Sequence, residues 1–307
     1  MLLAFSFSQD QTVIGPGLYG EELFDLVIDE YKPQSTLGYG PARDIMYSVI
    51  DLQENNQLSG VYSGYTITLD LSQDPSSNAY SQGINCEHTW PQSLGAGSEP
   101  QRSDMHHLFP CKDNVNSSRG NSPFAEISDS ETDIWYRNNY SQNNIPTVFI
   151  DEYAEKHHSS NNDRFEPREG HKGNTARSMF YFYAMYNDDA DDNFWVIQKD
   201  ELLQWHYTNP VDDGEYNRTW AIADYQDYPN PFVLDSTLAR RLWFQFFTNG
   251  DLTNDGVLDV LDLVQMVSII IGEAPPTEYE FLSGNITGDN QLDILDVVSL
   301  VTLIIEN

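Results

Sequence analysis

Two stretches decide how this chain is read: INCEHTWPQSL at 84–94 and SDMHHLFPCKDNVNSSRGNSPF at 103–124. They carry a carboxylate, an imidazole, a carboxamide and a guanidinium, on Glu87, His88, Asn116 and Arg119. Those are the groups that phosphodiester cleavage needs: a base for water, ligands for a cation that neutralises the phosphorane, and a further positive donor. Neighbours on a regular strand point to opposite faces, so Glu87 and His88 can share a site only at a strand end or a distortion. Pro91 is consistent with such an ending. Asn116 and Arg119, at i and i+3, share one face of a short helix capped by Asp113 or Asn114 and stopped by Gly120 and Pro123. Strand, loop and helix then converge on one metal. One carboxylate and one amide oxygen suffice for Mg²⁺, which keeps most of its water. Taken singly, an adjacent Glu-His pair is more often structural, and the basic cluster around it changes that balance.

Outward from this block, Leu23, Phe24, Leu26, Val27 and Tyr31, and then Ile45, Met46, Val49 and Ile50, recur at helical spacing, which predicts two helices within 18–50. Tyr65, Ile67, Leu69 and Leu71 alternate with polar residues as a half-buried strand does. Residues 174–186 predict an apolar helix, with others near 199–207 and 214–225, all read as core. A hydrophobic fraction of 39% with 13% aromatics supplies a packed core, and no apolar run is long enough to cross a bilayer. The opening MLLAFSFSQ reads equally as the cut-down end of a secretory signal or as a short buried strand. Cys86 and Cys111 are the two cysteines; in an exported chain they fit one disulfide, with two free buried thiols as the alternative. The net charge of −33 excludes a generally basic nucleic-acid surface. The charge is partitioned, however: nine of the fifteen Lys and Arg lie between Arg102 and Arg177. Arg164, Arg168, Lys172 and Arg177 are candidate phosphate contacts, and such acidity suggests a saline exterior.

From Gly250 an internal repeat begins, GDLTNDGVLDVLDLVQMVSIIIG being echoed 34 residues later by GNITGDNQLDILDVVSLVTLIIEN. Twelve-residue calcium loops need oxygen donors at alternating positions and a sharp bend at the sixth. In the first loop Asp251, Thr253, Asp255, the Val257 carbonyl, Asp259 and Asp262 meet that spacing, with Gly256 at the bend. The second offers Asn285, Thr287, Asp289, the Gln291 carbonyl, Asp293 and Asp296, with Asn290 at the bend. One fewer charge predicts weaker binding there. This tail resembles a type I dockerin, in which Asp at the last position and a helix follow each loop. The resemblance implies structural Ca²⁺ and a cohesin-like partner, and two departures count against that partner: Thr at the third position of both loops, and Asn290 for Gly.

The block CEHTWPQS, SDMHHLFP and VNSSRGNSPF resembles the endonuclease I family of ββα-metal (His-metal finger) nucleases. The likeness extends through GYGPARDIMYS, GVYSGYTITL, FEPREGHKGNTARSMFYFY and YQDYPNPF, covering about 18–245. It implies His88 as general base, Glu87 and Asn116 as ligands of one Mg²⁺ that Mn²⁺ can replace, and Arg119 near the phosphate. It further implies sequence-nonspecific cleavage of DNA, often of RNA too, leaving 5′-phosphates. The fold expected is α+β: a mainly helical nuclease domain around a ββα-metal finger at 18–247, after an N-terminal segment at 1–17. A small helical domain with paired EF-hand-like calcium loops then fills 248–307. Asp104, His106 and His107 are read as outer supports of the site, with a purely structural role the commoner case. His157, His158 and Glu166 receive none. Two rival readings are a zinc hydrolase using His88, His106 and His107, and a non-catalytic calcium-dependent adhesion or scaffold protein.

Overall fold

The computed structural model describes residues 12–16, 18–160, 162–244, 249–253, 257–272, 275–289 and 291–306. Residues 1–11 and 17 of the expected N-terminal segment thus lie outside the described residues, as do Thr248, Asp255, Gly256 and Asn290. The described chain falls into two compact units. One holds Thr12 and Val27–Ala239; the other joins Val13–Leu26 to the residues from Arg240 on, so it reaches further than the tail set apart at 248.

The predicted helices within 18–50 form as α1 (Gly20–Tyr31) and α2 (Tyr39–Ile45), the latter running into a π-helical turn to Ile50. The predicted strand is β2 (Thr66–Thr68), antiparallel to β1 (Gln57–Ser59), and a short helix α3 (Pro75–Ser81), capped by Asp74, follows. Next comes the arrangement that positions the site. β3 (Ile84–His88) and β4 (Leu108–Lys112) form an antiparallel ribbon, Glu87 opposite Phe109 and His88 opposite Leu108, and β4 leads directly into α4 (Asp113–Arg119). Gly120, at φ 54°, ends α4 in a conformation that favours glycine.

The sequence pattern identifies no strand between this block and residue 170; among the described residues four form there. β5 (Ile134–Arg137), β6 (Tyr140–Gln142), β7 (Ala154–His157) and β8 (Arg164–Glu166) form an antiparallel sheet ordered β6-β5-β7-β8. Strands of three or four residues are too short to display alternation, and several inward positions are charged. Glu155, Lys156 and Glu166 are all buried, where an apolar pattern expects Val or Ile.

The predicted helix at 174–186 is α5 (Lys172–Met185), buried along nearly its whole length, which explains its apolar circumference. After α6 (Asp192–Val196) come α7 (Lys199–Thr208) and α8 (Asp213–Gln226), close to their predicted limits, and then α9 (Pro231–Leu234) and α10 (Leu238–Trp243). Under the ribbon, Met46, Tyr47, Leu58, Ile84, Met105, Leu108 and Ile222 make one apolar cluster. Arg218 on α8 fastens the start of β4: it pairs with Asp51 at 2.7 Å and donates to the Leu108 carbonyl at 2.8 Å. Trp90, just past β3, stacks on Phe182 of α5 with ring centroids 5.0 Å apart. The strand end is therefore held from both sides.

In the other unit, α11 (Val260–Ile270), α12 (Glu278–Gly284) and α13 (Ile294–Glu306) enclose a small core of Leu252, Met266, Ile269 and Leu300. The repeat is visible atom by atom. Asp262 accepts from the Thr253 amide and hydroxyl and from the Asp259 amide, and Asp296 does the same with Thr287 and Asp293. Both aspartates are fully buried.

Candidate active site

Glu87, His88, Asn116 and Arg119 line one cleft of about 350 Å³, with Gln92 and Asn121 on its rim. Adjacent strand residues share it because β3 ends at His88 and the chain turns away at Pro91. Each side chain is fixed by partners that leave a particular atom unused. Glu87, 2% exposed, receives Tyr62 Oη at 2.9 Å and Arg119 Nη1 at 3.3 Å, both on Oε1. Its other oxygen carries neither contact. Burial pushes the Glu87 carboxyl up to about 7, while Arg119 and Tyr62 work against that rise.

Asn116 Nδ2 donates to Asn85 Oδ1 at 2.8 Å and to the Cys86 carbonyl at 3.1 Å. Both partners are acceptors, so the amide orientation is forced and Oδ1 is turned the other way. The site thus offers a carboxylate oxygen and an amide oxygen without competing hydrogen-bond donors. That hard-oxygen set fits Mg²⁺ or Mn²⁺.

His88 is 6% exposed, and its Nε2 lies 3.0 Å from the Arg102 carbonyl. A carbonyl only accepts, so Nε2 carries the proton and Nδ1 keeps its lone pair. Nδ1 meets only the Gln92 amide, at 3.3 Å, on the cleft rim. Burial and the neighbouring His107 pull the His88 pKa down to about 3, which keeps the ring neutral. His107 packs edge-on against it with centroids 5.5 Å apart.

Arg119 lines the same cleft, with its side chain almost wholly buried. It is 1% exposed, its Nη atoms donate to the carbonyls of His88, Thr89 and Gly120, and its guanidinium lies 4.6 Å from the Phe124 ring centroid. Its Nη hydrogen bonds are directed inward, so it anchors Glu87 and the end of β3. Lys172 and Arg177 are buried and ion-paired as well. Lys172 Nζ lies 2.6–2.8 Å from Glu126, Glu166 and Glu169, and Arg177 forms a buried bidentate pair with Glu215. Arg164 pairs with Glu131 at 3.6 Å, and Arg168 packs against Gly64. None of the four lines the cleft.

The disulfide is also overturned: Cys86 and Cys111 are free. Cys111 stands opposite Asn85, the neighbour of Cys86, so the two thiols leave the ribbon on opposite faces. The zinc reading fails on geometry, since Nε2 of His88, His106 and His107 each bonds a different backbone carbonyl. Among the described residues the His, Cys, Asp or Glu trio whose ligand atoms converge is Glu126, Glu166 and Glu169, where Lys172 sits. Asp104 is wholly buried and accepts from Tyr181, Tyr186, Gln226 and the His106 amide, which ties the approach to β4 onto α5 and α8. Sequence reasoning missed Tyr62 and Gln92, and also Tyr39. The Tyr39 ring lies 5.4 Å from His88, with Arg43 and Arg102 each 4.4 Å from its centroid. All three lie in stretches that carry the family resemblance, but nothing in those stretches singles them out chemically.

The family model of Endonuclease I matches residues 21–237. An extracellular ribonuclease of Bacillus subtilis (strain 168) is 30% identical over 177 residues, 52% of this chain and 54% of its own length. One from Bacillus amyloliquefaciens is 31% identical over 176 residues, 52% of this chain and 53% of its own. The chain therefore spans about half the length of the curated relatives it matches.

Proposed function

Because the chain belongs to the endonuclease I family, we propose that it is a secreted, sequence-nonspecific endonuclease that hydrolyses phosphodiester bonds of DNA and RNA with one Mg²⁺ and a histidine base. The observation that carries this reading is the set of atoms gathered in one cleft: a carboxylate oxygen of Glu87 and Oδ1 of Asn116 that the supporting contacts leave unused, and Nδ1 of His88, whose lone pair meets only the long Gln92 amide contact at 3.3 Å. Glu87 and Asn116 would hold the cation. When bound it supplies charge neutralisation on the phosphorane and on the departing 3′ oxygen. His88 Nδ1 takes a proton from water as the water oxygen bonds to phosphorus and the P–O3′ bond breaks; the departing 3′ oxygen takes a proton from solvent, leaving a 3′-hydroxyl and a 5′-phosphate. The Arg102 carbonyl on Nε2 fixes the tautomer and steadies the ring as it becomes positive. Tyr62 and Arg119 keep Glu87 in place, and Arg43 and Arg102 beside Tyr39 supply positive potential near His88.

Both relatives are named extracellular ribonucleases, which supports secretion and brings RNA into the substrate range beside DNA. The acidic tail is proposed to hold structural Ca²⁺. The Asn285 side-chain oxygen, at the first ligand position of the second loop, is buried without a hydrogen-bond partner, as a cation ligand would be before binding. The deciding assay is supercoiled plasmid and a folded RNA incubated with the full chain, with and without chelator and restored Mg²⁺. Chelation should abolish nicking, Mg²⁺ should restore it, and His88→Ala should lower kcat about 10²–10⁴-fold with an unchanged circular dichroism spectrum. Near-normal nicking by His88→Ala would reject the assignment.

A further inference from the structure

A second cleft, of about 860 Å³, adjoins the first and shares Asn121 with it. Its other walls include Ser122, Ser159, Asn162 and Asp163. Beneath it lies Lys156 on β7, 1% exposed, whose ammonium donates to Ser122 Oγ and lies 3.2 Å from Asp163 Oδ2. The Ser122 oxygen accepts from a cation, so its own O–H is left to donate outward and is strengthened as a donor by that polarisation. Its backbone N–H bonds the Arg119 carbonyl at 3.0 Å, placing this hydroxyl on the turn that closes the catalytic helix. The Asp163 carboxylate also faces the cleft. Its oxygens are engaged by Lys156, by the Ser159 amide at 2.6 Å and, at 3.8 Å, by His158 Nδ1. Across both clefts the one Lys or Arg among the lining residues is the inward-directed Arg119.

We propose that this second cleft binds the phosphate next to the scissile one, through the Ser122 hydroxyl, polarised by Lys156, and the Asn121 and Asn162 amides, in place of free cations. This rests on the nuclease reading and names the strand-binding subsite of the same centre. It also answers how a chain of net charge −33 holds a polyanion: neutral donors recruit phosphate without a basic surface.

The test compares a single-stranded oligonucleotide of DNA, the same sequence in RNA, and bis(p-nitrophenyl) phosphate, which has no second phosphate, all with Mg²⁺. Ser122→Ala should raise oligonucleotide KM about tenfold, the scale of one hydrogen bond to a charged group, and raise it far less for the small diester. Asn162→Asp, at an exposed position that leaves the fold alone, should act in the same direction by setting a carboxylate against the strand. If the wild type turns over the substrates but both variants match it, or weaken all substrates equally, the subsite is overturned and the nuclease reading stands. If the wild type turns over none of them, both fall together.

Discussion

Tyr62 shows how much a single side chain outside the two catalytic stretches contributes. It stands 25 residues before Glu87, is fully enclosed, and donates its one hydroxyl proton to Oε1. Without that bond the carboxylate is free to rotate its unused oxygen away from Asn116. Tyr62→Phe should therefore raise the Mg²⁺ concentration for half-maximal activity about tenfold, with kcat at saturating Mg²⁺ nearly preserved. A fall in kcat with unchanged metal dependence would assign Tyr62 a different role. The residue types of the centre were legible because carboxylate, imidazole and carboxamide sit in two short, distinctive stretches. Their supports were not, because Tyr39, Tyr62 and Gln92 are ordinary residues made important only by where the backbone brings them.

At the scale of elements, the errors share one cause. Lys172 opens α5 and Arg177 lies one and a half turns further on, in a stretch that looks basic and available, yet α5 is buried along most of its length and both charges pair with acids from other segments. Linear sequence counts charge; only packing reveals whether it is already paired. Arg177→Met, which leaves Glu215 buried and uncompensated, should lower stability by about 3–5 kcal/mol in urea unfolding. A midpoint equal to wild type would mean that the pair is solvated. The unforeseen sheet makes a second case. Glu155 on β7 accepts from the Thr132 hydroxyl, and burial pushes its carboxyl up to about 8. With a folded pKa above the unfolded one, its contribution is fully present below about pH 4.5 and is lost as pH rises through about 8. Glu155→Gln has no charge to bury, so its thermal midpoint should gain on wild type between pH 5 and pH 9; a constant gap would contradict this.

For the whole molecule, the governing quantity is a net charge of −33 set against cations that are mostly engaged internally. Free Lys and Arg contacts to phosphate make affinity fall steeply with salt, by roughly 0.9 in log K per log unit of salt for each neutralised phosphate. With few such contacts and strong like-charge repulsion at low ionic strength, oligonucleotide KM should stay level or fall between about 0.05 M and 0.5 M NaCl, where screening tightens to a few ångströms. A tenfold rise over that range would show a basic binding face. The sequence by itself determined the strand before the centre and the helix after it, the helices flanking them and the duplication in the tail, while the second strand of the ββα order came only from the family resemblance. Those features depend on neighbours in the chain: hydrophobic period, helix-stopping residues, repeat spacing. Only the tertiary structure decided that Cys86 and Cys111 stay apart, that Arg119, Lys172 and Arg177 turn inward, and that Tyr62 and Lys156 stand behind the two clefts. Those outcomes depend on which distant segments meet in the low-dielectric interior, where an ion must find a partner, and no local pattern encodes that meeting.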